Sequence, residues 1–222
     1  MIVTIDGPAG AGKSSIARQV AERLDFEFLD TGAMYRAVTL GAMRQGIDWT
    51  DHDQLLDYAR GVKLRWEDCR IYLDGEDVSE SIRLPEVTQH IRHVADPPEI
   101  RGQLSAHQRV IAKGRDIVTE GRDQGAEVFP DAECKIFLTA SPEERARRRC
   151  RQLLDQGKPV AYEDVLTAQN QRDLEDRLRP VGRLRPAADA KVVSTDGMSA
   201  DEVLSAVLGI VQNVLESAAQ TR

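Results

Sequence analysis

"IVTIDGPAGAGKSS" (2–15) sets the reading of the whole chain. Its first five residues are a short apolar, β-branched run, the mark of a buried strand. Gly7, Gly12, Lys13 and Ser14 then fit G-x-x-x-x-G-K-[ST], and Ile16, Ala17, Val20, Ala21 and Leu24 follow at helical spacing. Strand, glycine-rich turn and helix in that order are the setting in which this motif holds phosphate. Glycines let the backbone curl so that several N–H groups point inward, and the helix N-terminus adds partial positive charge. Gly7, Pro8, Ala9, Gly10, Ala11, Gly12, Lys13, Ser14 and Ser15 are therefore the expected cradle for a nucleotide. Lys13 is expected to bridge the β- and γ-phosphates of ATP, and the Ser14 hydroxyl to ligate Mg²⁺.

The pattern continues as an α/β protein. "FEFLD" (26–30) reads as a second strand, "GAMYRAVTLGAMRQG" (32–46) as a helix, and 51–60 as another short helix. Residues 62–82 break the rhythm: Val62, Leu64 and Trp66 alternate, and the stretch reads as a small antiparallel meander. Helical stretches at 84–95 and 98–113 follow. "DIVTEG" (116–121) and "CKIFLTA" (134–140) resume the strands, and Ser141, Pro142 and Glu144 open a helix. A helical region over 142–179 is interrupted at "QGKPV"; "AKVVST" (190–195) is the last strand, and a helix over 199–217 closes the chain. About five strands alternating with helices imply a doubly wound parallel sheet.

With 222 residues, 41% of them hydrophobic and 30% charged, the chain has the composition of an ordinary globular protein. It carries no basic leader and no apolar run of membrane-spanning length, so neither a targeting segment nor a membrane partner is expected. Cys69, Cys134 and Cys150 lack metal-ligand spacing and read as reduced thiols of a cytoplasmic protein. A net charge of −7 argues against a nucleic-acid partner.

Arginine is nevertheless concentrated. "ERARRRCR" (144–151) and "RDLEDRLRPVGRLR" (172–185) carry five each. Arg145, Arg148 and Arg149 fall on one helix face, and Arg172, Asp176 and Arg179 on another stripe. Either could be a salt-bridged solvent face, or could neutralise phosphoryl oxygens during transfer between two polyanions. His52, His90, His93 and His107 stand near no nucleophile in sequence and read as surface or helix residues. A phosphate monoester acceptor is mostly deprotonated at neutral pH and needs no general base.

"LDTGAMYRAVT" (29–39), "GEDVSESIR" (75–83), "EGRDQGAEVFPDAECKIFLTAS" (120–141) and "RPAADA" (185–190) together resemble the bacterial cytidylate kinases, which are P-loop nucleoside-monophosphate kinases. The resemblance runs from Ile2 to about Val207. It implies a single P-loop kinase domain: a core over 1–60, 114–141 and 186–222, a CMP-binding insertion over about 61–113, and a helical lid over about 142–185. It implies ATP-dependent phosphorylation of CMP or dCMP, with Mg²⁺, in pyrimidine metabolism, by an expected monomer. By the same resemblance Thr31 and Arg36 would hold the acceptor phosphate, with Tyr35 packing near the nucleotide. Arg122 would contact that phosphate, Asp123 the cytosine amino group, and Arg101 the base edge. Arg172 and Asp176 would contact the ribose, and Arg179 would help close the site. Arg145, Arg148 and Arg149 would serve the lid side and the transferring phosphate.

Cytosine offers an amino donor beside two acceptors, so a carboxylate and an arginine match it, whereas uracil would meet them like against like. That pair is expected to favour CMP over UMP by about 1–3 kcal/mol. Asp30 and Glu120 end strands at the edge where ligands bind, and either could hold Mg²⁺ through water; Asp30 could equally cap a helix. Arg92, Arg183 and the Gln124, Ala126 and Glu127 of "RDQGAEV" depart from the family's usual residues, and Arg92 bears on base preference. Two other readings are a kinase for a different nucleoside monophosphate and a non-catalytic nucleotide-binding scaffold. Lys13, Ser14, Arg36, Arg122 and Arg179 argue against the scaffold.

Overall fold

A computed structural model describes residues 1–220. It divides into two compact units: residues 1–28 with 116–222, and residues 29–115.

The first unit is built on the parallel sheet. β1 (Ile2–Asp6), β2 (Glu27–Asp30), β6 (Ile117–Gly121), β7 (Cys134–Thr139) and β8 (Lys191–Ser194) lie in the order β2-β6-β1-β7-β8. The chain thus moves from β1 toward both edges, the doubly wound arrangement expected. The boundary between the units falls within β2, at Leu29. Register places Asp6 beside Gly121 of β6 and Phe137 of β7, so the loop after β1 leaves from the middle of the sheet's carboxyl edge. Val3, Ile5, Val118, Ile136 and Leu138 join Ile16, Ala17 and Val20 of α1 (Lys13–Leu24) in one core. Val203, Leu204, Val207 and Val211 of α9 (Ala200–Gln220), an apolar stripe at helical spacing, complete it. α7 (Pro142–Asp155) and α8 (Tyr162–Leu178) pack on each other, with the break falling at the expected Gly157–Lys158–Pro159. Ser141 caps α7 by accepting the Glu144 N–H.

The second unit holds α2 (Thr31–Arg44), α3 (His52–Gly61), the antiparallel β3 (Leu64–Glu67), β4 (Arg70–Leu73) and β5 (Glu76–Asp77), then α4 (Pro85–His90), α5 (Arg92–Ala95) and α6 (Pro98–Ala112). α2 packs on β4 and α4, and α3 on α6, around Met34, Leu55, Ile71, Ile82, Ile100 and Leu104. The helix expected over 84–95 is two helices, parted at Ile91. A feature with no counterpart in the sequence reading is the π-helical turn Gln124–Val128 of the first unit. No described helix is long and apolar enough to cross a membrane. All three cysteines are free, and burial pushes the Cys134 thiol up to about 11.

Candidate active site

The donor loop is a backbone device. Gly7 has φ +147°, and a Cβ there would overlap the Leu138 carbonyl, so the chain can leave β1 against β7 only through glycine. Gly12, at φ 88°, hands the loop to α1 in a left-handed conformation, and no described side chain caps that helix. Its first-turn N–H groups therefore face the loop, as an anion site requires. Lys13 is buried with its Nζ donating to the Pro8 carbonyl at 2.9 Å. Burial lowers its pKa to about 8; Glu120 and Asp6 oppose that fall, while Arg122 and Arg172 add to it. Ser14 Oγ donates to Glu120 Oε1 at 3.0 Å, which brings together two of the expected metal-side groups. A hydroxyl and a carboxylate are the hard oxygen donors that Mg²⁺ takes alongside water and phosphate, so the residues fit that ion. Among the described residues no group of three or more His, Cys, Asp or Glu could hold a metal by protein ligands alone.

Behind the loop stands Arg145, only 2% exposed. Its Nη1 donates to the Ala9 carbonyl at 3.0 Å, its Nε to Ala140 at 3.1 Å, and its Nη2 lies 2.7 Å from Asp173. The guanidinium thus holds the loop's backbone from beneath. Arg148 is likewise engaged, with Glu144 at 2.9 Å and with the hydroxyl and carbonyl of Thr195 at 2.9 and 2.7 Å. Arg149 is exposed and bonded to Gln152. The one face expected to present three guanidinium groups therefore presents them unequally.

The "EGRD" segment ends β6 and leads into the turn beyond it. Asp6, 3% exposed, accepts the Gln124 and Gly125 N–H groups at 2.9 and 2.8 Å, and burial raises its pKa to about 7 despite those bonds. This anchors the π-helical turn directly after Arg122 and the buried Asp123. Arg122 Nε donates to Asp176, and Arg179 Nη1 is 2.9 Å from the other oxygen of that carboxylate. Asp176 is 1% exposed. The acid thus joins Arg122 and Arg179, and Arg179 stands just past the end of α8 instead of on a helical stripe with Arg172. Arg172 of the same helix lies close enough to lower the Lys13 pKa. Asp6, Asp173 and Glu127 were not singled out as functional from sequence. The signal for Asp6 was a charged residue ending an otherwise apolar buried strand.

In the second unit Thr31 is buried at the start of α2. Arg36 lies over the first turn, its Nη1 3.0 Å from where a Cβ on Gly32 would stand. Asp30 caps α2 through the Ala33 N–H at 3.0 Å and lies 3.8 Å from Arg83. Asp30 is thus the N-cap of α2. Arg101, 5% exposed, donates to the Ala95 carbonyl at 2.9 Å, with its guanidinium 5.3 Å from the Tyr35 ring centroid. A cation placed over an aromatic face at this distance is attracted to it. Arg92 is exposed on α5. His90 and His93 stack on Trp49 at 4.9 and 5.1 Å, and burial, with Arg92 and His90 adding, lowers the His93 pKa.

A parallel sheet whose central strand feeds a glycine loop, with its lysine turned inward and its serine against a carboxylate, defines a nucleotide-binding kinase of the P-loop class. The chain belongs to the cytidylate kinase family, whose model matches residues 3–213. It is a phosphotransferase. It is 67% identical over 219 residues to a curated cytidylate kinase of Rhodopirellula baltica, covering 99% of this chain and 96% of that one. It is 44% identical over 205 residues to the cytidylate kinase of Caldanaerobacter subterraneus subsp. tengcongensis, covering 92% of each. Among solved structures, an uncharacterized protein from Eubacterium ventriosum has a TM-score of 0.51 at 12% identity, covering 96% of this chain and 98% of that one; this likeness shows the fold alone.

Proposed function

We propose that the protein transfers the γ-phosphoryl group of ATP to CMP or dCMP, yielding ADP and CDP or dCDP, as a step of pyrimidine metabolism in the cytoplasm. The observation that carries this reading is a complete phosphate loop in the same unit as the Arg122–Asp176–Arg179 cluster. Such an arrangement suits a reaction in which two phosphates must approach each other. The acceptor phosphate oxygen forms the new bond to the γ-phosphorus as the bond to the β-bridging oxygen breaks. ADP leaves, and no proton need be removed from an acceptor already ionised near neutrality.

Within the proposal, residues Gly7 to Ser15 hold ATP, and Lys13 follows the transferring group. Ser14, with Glu120 through water, would hold Mg²⁺, which would supply charge neutralisation at the phosphates. Thr31, Arg36 and Arg122 are assigned to the CMP phosphate, Asp123 and Arg101 to the base, Tyr35 to packing beside it, and Arg172 and Asp176 to the ribose. Arg179 closes on the acceptor. Of the lid arginines, Arg149 is the better candidate for the transferring phosphate, because Arg148 is already engaged by Glu144 and Thr195. The division into core (1–60, 114–141, 186–222), CMP-binding insertion (61–113) and lid (142–185), and a monomeric state, belong to the same proposal.

An ADP-release assay across CMP, dCMP, UMP, AMP and GMP tests it. CMP should exceed UMP in kcat/KM by about tenfold to a hundredfold. Equal values for the two would defeat the base assignment, and ADP formation unstimulated by every monophosphate would defeat the kinase reading.

A further inference from the structure

The π-helical turn is tied at both ends. Glu127 and Val128 donate their N–H groups to the Asp123 carbonyl at 2.8 and 3.2 Å, and Phe129 donates to Gln124 at 2.6 Å. Asp6 fixes the beginning of the turn to the sheet. Near its end the Glu127 carboxylate accepts the Gly182 N–H at 2.7 Å, with Arg185 3.9 Å from its other oxygen. Gly182 lies in the stretch 179–185, which has neither helix nor strand. That stretch begins with Arg179, which pairs with Asp176, which in turn holds Arg122 just ahead of the turn. It folds back on itself through the Leu184 N–H to the Asp176 carbonyl at 2.9 Å and Arg183 Nε to the Arg179 carbonyl at 2.7 Å.

The chain thus forms a closed circuit: Arg122 to Asp176, along the backbone through Arg179 to Gly182, and through Glu127 back to the turn that directly follows Arg122 and Asp123. We propose that Glu127 is a positioning residue that closes this circuit and holds Arg179 and Arg122 at a fixed spacing for the acceptor phosphate. The proposal rests on reading those two arginines as acceptor-side groups. Irregular backbone is the first part of a fold to open locally, and a carboxylate accepting a backbone N–H is a strong tether for it. Two cations that must meet one phosphate lose much of their effect when their spacing drifts. Glu127 touches no reacting atom in this scheme; it acts through the two arginines.

Steady-state kinetics on the full chain, with CMP and ATP varied separately, tests this. Glu127→Ala should raise KM for CMP by about tenfold, the size of one charge-assisted hydrogen bond. KM for ATP should stay within about twofold, because the donor loop's own ties through Lys13 and Arg145 do not involve Glu127. Glu127→Gln keeps an acceptor oxygen for Gly182 and should return KM for CMP to within about threefold of wild type. Arg185→Ala should change little, because Arg185 is 60% exposed. The role is overturned if Glu127→Ala leaves KM for CMP unchanged, if Ala and Gln are equally impaired, or if KM for ATP rises in parallel. Wild-type protein that forms no CDP would defeat the underlying kinase reading and this role with it. Wild-type turnover with an unaffected Glu127→Ala defeats the role alone.

Discussion

In the proposed reaction the phosphate loop and the arginine-bearing helices α7 and α8 both bring positive charge to phosphate chemistry, but by opposite means. The loop uses backbone N–H groups, a helix terminus and one buried lysine, and its shape is fixed by glycines at 7 and 12. The helices use side chains, and each inward guanidinium is matched by an acid or a carbonyl: Arg145 by Asp173 and Ala9, Arg148 by Glu144 and Thr195, Arg179 by Asp176. A backbone site is ready before its ligand arrives. A side-chain site must be held open by its own counter-charges. Arg145 stands at the junction of the two, since it belongs to α7 yet supports the loop.

The largest effect is therefore expected at Arg145. Arg145→Ala would leave Asp173 buried without its cation and should cost about 3–5 kcal/mol in urea denaturation. ATP affinity should fall with it, because the Ala9 carbonyl loses its support. The double variant Arg145→Met with Asp173→Leu should regain most of the stability but not the affinity. Recovery of both would mean that the arginine supports the helices and not the loop.

Lys13→Ala comes next. It removes a cation that already suffers burial, so stability should hold or rise while kcat falls by about a hundredfold to a thousandfold. A parallel loss of stability would show that the Nζ to Pro8 bond, at 2.9 Å, shapes the loop as the glycines do. Arg148 and Arg149 give a smaller contrast. Arg148→Ala should cost about 1–2 kcal/mol through its lost bonds to Thr195, with kcat reduced less than about tenfold. Arg149→Ala should leave stability unchanged and take the larger share of kcat. The reverse pattern would reassign the lid cation to Arg148.

The same contrast explains what could be read from the sequence. The strands, the loop and the amphipathic helices were legible because each rests on local spacing: alternation in β3, the 3.6-residue period in α1, the glycine motif between β1 and α1. Grouping Arg172, Asp176 and Arg179 was equally a matter of helical period. Whether an arginine on such a stripe faces a ligand or a partner acid is not local. Arg145 finds Asp173 on another helix and Ala9 far back in the chain, so spacing alone could not tell it from Arg149. The π-helical turn was invisible for the same reason. It has no helical period of its own, and the carboxylate that pins it, Asp6, lies 118 residues before Gln124. Ile91, where the expected 84–95 helix breaks, carries neither proline nor glycine to mark the end.

The smallest expected effect separates the two kinds of charge by titration. Lys13 falls to about 8 in the fold from an ordinary value near 10.5, chiefly through burial. The unfolded chain then binds more protons between about pH 8 and pH 10.5, so the lysine opposes folding below pH 8, and that penalty lifts as pH rises through this window. ATP binding should run the other way, because the ligand needs the charged amine. Between pH 7 and pH 9 affinity should weaken by up to about tenfold, since one pKa unit corresponds to about 1.4 kcal/mol. Guanidinium groups keep their charge across this range, so an arginine-based site would give a flat profile. Lys13→Arg is the control: whatever its affinity at pH 7, its dependence on pH should flatten. Isothermal titration with ATP at pH 7, 8 and 9 reads both proteins. If the wild-type profile is as flat as that of the arginine variant, then either the amine of the free protein keeps its charge beyond pH 9, or the N–H groups of the loop carry the affinity without it. Lys13→Ala distinguishes these, since only the second leaves its affinity for ATP near that of wild type.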